Sequence, residues 1–452
     1  MNKHSKILGS EGIGKLLLRL SAPAVAGMMV QALYNLVDTI FVGRGVGTMA
    51  IAGLAIAFPL QMLGLAIAQA IGIGGASIIS RSLGSGDTEK AEKAMGNIFS
   101  LIIVISLVLT ILGLAFIEPI LMVFGATDSI LPYAMEYMRV ILLGTVLFTF
   151  AVASNSVLRA EGNAKMAMYT MLISAGLNII LDPIFIFVFN MGIRGAAIAT
   201  VLAQATTAVY LVIYFMTGKS TLKFKMKNLK PDIKIILETF AIGSSAFARQ
   251  AAGSIMAIIL NNSLAFYGGD ITIAAFGVIN RLLMFTFMPL FGIVQGMQPI
   301  VGYNYGAKKL SRVKATIKLS IVITTLLATI GFLMLMVFPR FFMEIFSDDT
   351  ELIELSIGAV RIIVLGVPFI GLQVVGASMF QSIGKALPSL ILSMSRQILF
   401  LIPLVLTLPI YFDLLGIWLA FPLADVLSTV VTMVFMSKEL KIISKATLIQ
   451  SN

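Results

Sequence analysis

The sequence predicts an all-α integral membrane protein, with twelve transmembrane helices in two parallel, pseudo-symmetric six-helix bundles. Three observations carry that expectation. Of 452 residues, 59% are hydrophobic and only 12% charged, with a mean hydropathy of +1.01, far from the composition of soluble domains. Twelve apolar runs of about 20 to 30 residues are each long enough, as a helix, to cross a ~30 Å hydrocarbon core. The chain also repeats itself, because residue n resembles residue n + 222.

The runs begin near residues 16, 48, 94, 130, 165, 193, 233, 271, 314, 350, 388 and 416. The first follows Lys15 and Arg19; it is too long for a signal-peptide core and closes on no small-residue cleavage site, so it reads as a retained helix. The second holds Gly72, Gly74 and Gly75 with no strand before them, which points to close helix packing rather than a nucleotide loop. The fourth carries Glu136 and Arg139 near its end, a helix-surface pair by spacing. The seventh to twelfth runs repeat the first six. Ile51-Ala-Gly-Leu-Ala-Ile56 aligns with Ile273-Ala-Ala-Phe-Gly-Val278, Leu83-Gly84 with Tyr305-Gly306, and Arg139 with Arg361. With a one-residue slip, Gly195-Ala-Ala-Ile-Ala199 matches Gly416-Ile-Trp-Leu-Ala420. Six spans per half is an even number, so the repeats run parallel, about an axis along the membrane normal. The expected division is an N-terminal lobe over 1–216, a lysine-rich cytoplasmic linker over 217–234 and a C-terminal lobe over 235–452.

Net charge is +11, which here is read by position rather than as affinity for nucleic acid. With a cytoplasmic N-terminus, Arg44, Arg194 and Arg340 alone lie outside; Arg139, Arg249, Arg281, Arg361 and Arg396 fall within or at the ends of spans, and all other Lys and Arg, Arg159 included, fall on the cytoplasmic side. The bias predicts a multi-pass protein of the cell membrane with both termini cytoplasmic. There is no cysteine and only one histidine, His4, in the polar tail, so thiol chemistry and histidine-based nucleophilic catalysis inside the membrane are unavailable. A membrane-embedded transferase would need paired acidic metal motifs or a catalytic histidine, and neither is present. No enzymatic activity and no cofactor are expected. A channel is disfavoured because the unlike halves offer no ring of equivalent groups.

Polar residues inside the spans carry the functional signal. A carboxylate at bilayer depth costs roughly 2.5 to 3.5 kcal/mol, so Asp38 and Asp182 point to a cavity that handles a cation or proton. Gln31, Tyr34, Asn35 and Asp38 form one stripe of the first helix; Ser174, Asn178 and Asp182 form one on the fifth; Thr200, Gln204 and Thr207 form one on the sixth. Counted from the outer ends, Asp38, Asp182 and Thr200 lie about 5, 8 and 7 residues in, which puts all three ~7 to 12 Å deep. One site built from Asp38, Asn178, Asp182 and Thr200 is therefore expected, with Gln31, Tyr34, Asn35, Ser174 and Gln204 as candidates for a substrate cavity. The oxygen-only set suits Na⁺. Alternatively the pair carries a proton, since adjacent carboxylates in low dielectric do not both stay ionised. Blander readings stand beside these: Asp182 could serve backbone groups freed by Pro183, and Asp38 could be an interface residue. In the C-terminal half, Arg281 and Asp425 lie about 10 and 9 residues in at ~1.5 Å per residue, a depth match that suggests a buried ion pair acting as a static brace.

Together Asn35-Leu-Val-Asp38 with Gly43, Ser80-Arg-Ser-Leu-Gly84, Asn178-Ile-Ile-Leu-Asp-Pro183, Gly195-Ala-Ala-Ile-Ala-Thr200 and Pro299-Ile-Val-Gly-Tyr-Asn-Tyr-Gly306 resemble the multidrug and toxic compound extrusion (MATE) transporters, prokaryotic branch, MepA-like and DinF-like members. The resemblance covers nearly the whole chain. It implies a V-shaped, two-lobed exporter of amphipathic, often cationic drugs, driven by inward Na⁺ or H⁺; a monomer is the expected form. It also implies that Asp38, Asn178, Asp182 and Thr200 form the coupling network, and that Pro23 marks a helix bend. The chain departs from the NorM-like branch, with Gln250, Asn261, Asn262 and Gln373 where that branch carries acids in the seventh and tenth helices. A lipid-linked precursor flippase of the same superfamily is the competing expectation, weakened by the carboxylates of the N-terminal half.

Overall fold

A computed structural model of the protein describes residues 3–451; the side chains of Lys3, His4, Leu36, Thr48 and residues 448–451 lie outside that description. Among the described residues there are helices and no strands. After a short α1 (Lys3–Ser10), the first half runs α2 (Ile13–Gly45), α3 (Thr48–Ser85), α4 (Thr88–Ala115), a short α5 (Ile117–Val123), α6 (Leu131–Ala160), α7 (Ala164–Pro183) and α8 (Gly192–Met216). The second half runs α9 (Ile233–Gly306), α10 (Leu310–Val337), a short α11 (Pro339–Glu344), α12 (Thr350–Ile363), α13 (Val367–Ile383), α14 (Ala386–Met394), α15 (Ile402–Thr407) and α16 (Pro409–Ser451).

Eleven of these stretches are long and apolar enough to cross a bilayer, and α9 counts twice. At 74 residues it would span about 110 Å if straight. Gly269, at φ 71° and ψ −170°, interrupts it in a backbone region that essentially only glycine occupies, and divides it into the seventh and eighth spans. The break falls beside the start expected near residue 271. Pro23 lies inside α2, which continues as helix on both sides of it.

The internal repeat is visible in the helix boundaries. α4 begins at 88 and ends at 115, and α10 begins at 310 and ends at 337, the same offset of 222 at both ends. Short α5 and α11 occupy matching places after them. The lobes also meet through reciprocal contacts. A Cβ on Gly84 would come within 1.9 Å of the Tyr303 carbonyl oxygen, and one on Gly306, its repeat partner, within 2.0 Å of the Arg81 carbonyl oxygen. Gly74 lies equally close to the Thr239 carbonyl and Gly243 to that of Ala70, so glycines let the two backbones touch.

The apolar core follows this seam. One cluster, holding Leu16, Ile79, Met95, Ile300, Met379 and Met436, is shared by both lobes at the end that carries the linker. Toward the other end it gives way to two separate cores, Val42, Tyr137 and Ile193 in the first lobe and Leu260, Val364 and Trp418 in the second. The molecule is therefore closed at the linker end and parted at the other. Arg81 Nη2 bonds Glu238 Oε1 across the seam at 2.8 Å, and Ser77 Oγ donates to the Gln381 carbonyl at 2.5 Å.

The linker is strapped to the first lobe. Asn97 donates to the carbonyls of Asn228 and Lys230 and accepts from the Asp232 amide at 2.7 Å. Glu161, 1% exposed, accepts from Tyr214 Oη, Ser220 Oγ and the Thr221 amide. Burial pushes its carboxyl above the usual range, while these donors pull it back.

Two sequence expectations are corrected. Asp425, 1% exposed, is paired with Arg396, not with Arg281: Arg396 Nε lies 2.5 Å from Asp425 Oδ1, and Arg281 is exposed. Equal depth fixes height along a helix but not the direction a side chain faces, and that direction excludes Arg281. Glu136 and Arg139 are both exposed on the helix surface, as their spacing predicts, but their charges form no ion pair with each other.

Candidate functional site

Three helices of the first lobe supply the polar node. α2 and α7 pack along their lengths, and α7 packs against α8. Near the parted end, Gly45 removes the side chain that would otherwise stop α2, since a Cβ there would fall 2.3 Å from Ile186. Ile186 belongs to a π-helical turn, Ile184–Val188, that follows Pro183 and ends α7. Proline removes one amide donor and widens the turn, and such single π turns recur at functional sites.

Within the node, Asn178 Nδ2 donates to Asp182 Oδ1 at 3.2 Å and to Thr200 Oγ1 at 3.2 Å, tying α7 to α8. Asp182 is 0% exposed, Asn178 2% and Thr200 7%. The Asp38 and Asp182 carboxyls are neighbours in the node, and Tyr34 lies close to both. Three oxygens of this node, Asp38 Oδ1, Asn178 Oδ1 and Asp182 Oδ2, are buried with no donor. Buried acceptors are rarely left so, and when they are, an ion or proton is one explanation. Pro183 does not account for Asp182: Oδ1 accepts from Asn178, Oδ2 has no partner, and neither oxygen bonds a backbone group freed by the proline.

Beside the node a cavity of about 810 Å³ opens between the lobes. Gln31, Tyr34, Asn35, Ser174 and Gln204 all line it, as do Asp38, Asn178 and Thr200, whereas Asp182 stands behind the wall. The second lobe contributes Arg249, Gln250, Gln295 and Gln298 among others. Sequence reading missed Arg159, assigned to a cytoplasmic segment; it occupies the last turn of α6, bonds Asn155 and Ser156, and lines the cavity. The signal was there, because Asn155 and Ser156 lie one helical turn before it and give the stripe a polar face. Tyr137, which lies beside Gln61, was also missed as a wall residue, since neither belongs to a polar stripe of the kind that marked the other wall residues.

A family model, MatE, matches residues 23–184 and again residues 246–407, one copy in each half. The chain belongs to the MatE family. Similarity extends over the whole MatE chain. The multidrug export protein MepA of Staphylococcus haemolyticus is 26% identical over 440 residues, 97% of each protein. The MATE multidrug transporter DinF-BH, solved with a bound small molecule, is 46% identical with a TM-score of 0.90, covering 97% of this chain and 98% of that one. An outward-facing multidrug resistance MATE family transporter of the MOP superfamily is 27% identical with a TM-score of 0.93, covering 98% and 99%. This MatE protein is thus a multi-pass membrane transporter and not an enzyme.

Proposed function

We propose that this protein exports amphipathic, often cationic organic compounds from the cell in exchange for an inward small cation, H⁺ or Na⁺. The cavity between the lobes faces alternately to the two sides of the cell membrane, with the linker and both termini cytoplasmic and one chain acting as a monomer. One observation carries the coupling: three buried oxygens from α2 and α7 converge without a donor. A proton shared between Asp38 and Asp182 would satisfy two of them; a Na⁺ would be held by all three, with the hydroxyl of Thr200 at the edge. The names of the relatives, multidrug export protein and multidrug transporter, support the cargo half of the reading.

The geometry supplies a route from ion to cargo. α2 carries Asp38 in the node and Gln31, Tyr34 and Asn35 on the cavity wall. With the node empty, two carboxylates face each other and repel; with a cation bound, the same oxygens draw α2 toward α7. Occupancy therefore re-aims the wall that cargo touches, which is the differential interaction that coupling requires.

The test is transport of a fluorescent cationic dye into inverted vesicles under separate Na⁺ and H⁺ gradients. Wild type is expected to accumulate dye under one gradient, and Asp38→Asn and Asp182→Asn to lose gradient-driven uptake while remaining folded. Full gradient-driven transport by Asp38→Asn would remove the mechanism.

A further inference from the structure

The cavity is charged in a way that a receptor for cations alone does not require. Among the described residues Asp38 is the only carboxylate on its lining, whereas two arginines, Arg159 and Arg249, also line it. Arg159 is held by neutral partners, Asn155 and Ser156. Arg249 makes no ion pair and no hydrogen bond among the described residues. Neither arginine is within ion-pair distance of Asp38, so the acid already present does not neutralise them.

Arg249 lies about midway along the seventh span, and its helical neighbours one turn to either side are Ser245, Ala246, Ala252 and Gly253. None of these carries charge, so its own helix supplies no counter-charge where Arg249 lines the cavity. Asp38, seven residues before the end of α2, marks the parted end of the cavity, and Arg159 marks the linker end. The lining is thus polarised, acidic toward the opening and basic in its depth. An arginine inside a membrane protein without a counter-charge is costly, and it persists where an anion or a ligand completes it.

We infer that substrates of this cavity carry an acid group, carboxylate or sulfonate, on an apolar body, and that Arg249 takes that group. The planar guanidinium presents paired donors that match a carboxylate's two oxygens, and such charge-assisted bonds are the stronger class. A cationic end of the same molecule would then lie toward Asp38, so that cargo with both charges spans the two poles. This inference rests on the cavity being the transport route proposed above and names the chemistry it selects. Charge movement follows from it: export of cargo with both charges and no net charge against one entering cation is electrogenic, whereas one-for-one exchange of monovalent cations is electroneutral.

The test uses a matched pair of dyes, rhodamine B, which has a free carboxylate, and its ethyl ester, which does not. Binding to the purified full chain in lipid nanodiscs is followed by fluorescence polarisation. Wild type is expected to bind the acid about tenfold or more tighter than the ester, the size expected of one charge-assisted contact. Arg249→Gln should abolish that preference by weakening the acid, without weakening the cationic ester, whose repulsion from the guanidinium it removes, and Arg249→Lys should keep most of it. Retained saturable ester binding is the internal control for folding. Equal binding of acid and ester by wild type, an intact acid preference in Arg249→Gln, or no saturable binding of either dye would each overturn the inference. Vesicle transport separates it from the functional proposal. If the ester is pumped and no acid preference exists, only this inference falls; if acid is preferred but no gradient drives either dye, only the antiport reading falls.

Discussion

Replacing Gly84 by alanine should push the transporter out of the closed-seam state. A Cβ there would lie 1.9 Å from the Tyr303 carbonyl oxygen, and real Cβ atoms essentially never approach below 3.0 Å. The obstacle is backbone, which cannot swing aside like a side-chain tip, so the lobes must part by about 1 Å at the linker end or the helices must bend. Overpacking of this kind costs roughly 1 to 3 kcal/mol, and all of it falls on the state in which the seam is closed. If the opposite-facing state separates these backbones, the same energy becomes a shift of about 5- to 150-fold in the conformational equilibrium. Gly306→Ala should do the same, because its Cβ would meet the Arg81 carbonyl oxygen at 2.0 Å. The native chain has no cysteine, so spin labels can be placed without background on Glu89→Cys and Ser311→Cys, exposed positions at the starts of α4 and α10. Pulsed-resonance distances should lengthen at this end in either alanine variant. Wild-type distances together with wild-type transport in Gly84→Ala would refute the argument that backbone contact holds the seam.

Other substitutions test separate parts of the structure. Asn178→Ala removes the donor shared by Asp182 and Thr200, and should weaken coupling-ion dependence of transport about tenfold or more, read as a shift in the half-saturating Na⁺ or H⁺ concentration. Asp425→Asn strands Arg396 and should cost about 3 to 5 kcal/mol, whereas Arg281→Gln on the exposed face should change stability by no more than about 0.5 kcal/mol; thermal unfolding in detergent separates the two. For Glu161, burial raises the carboxyl above its unfolded value, so its contribution is complete below the ordinary carboxylate range and is lost as pH rises through the elevated value. Hydrogen exchange in the linker over 217–225 should therefore quicken with rising pH beyond the intrinsic base dependence, and Glu161→Gln should remove that excess.

Much of the site was legible because a helix has a fixed rise. Counting residues put Asp38, Asp182 and Thr200 at one depth, and in the structure Asp38 approaches Asp182 while Asn178 joins Asp182 to Thr200. The same counting failed for Arg281 and Asp425. In the first lobe each residue belonged to a polar stripe that fixed a helix face as well as a height; Arg281 had no such stripe, and only height was known. Arg159 escaped for a related reason. A basic residue near a helix end reads equally well as a loop charge or as a cavity wall, and the polar face before it was the deciding clue.

The sequence by itself determined what depends on composition and on one-dimensional spacing: membrane residence, twelve crossings, a duplication at a constant offset and the polar stripes that needed shelter from lipid. The hydrocarbon core forces these, since it admits only helices of a certain length and penalises every charge left facing it. Tertiary structure decided which faces meet. Glycines bring α3 and α9 into backbone contact, leave the lobes joined at one end and parted at the other, and so create the cavity that Asp38, Arg159 and Arg249 share. Contacts between helices far apart in the chain depend on rotation about each axis and on close packing, and neither is carried by the order of residues along one helix.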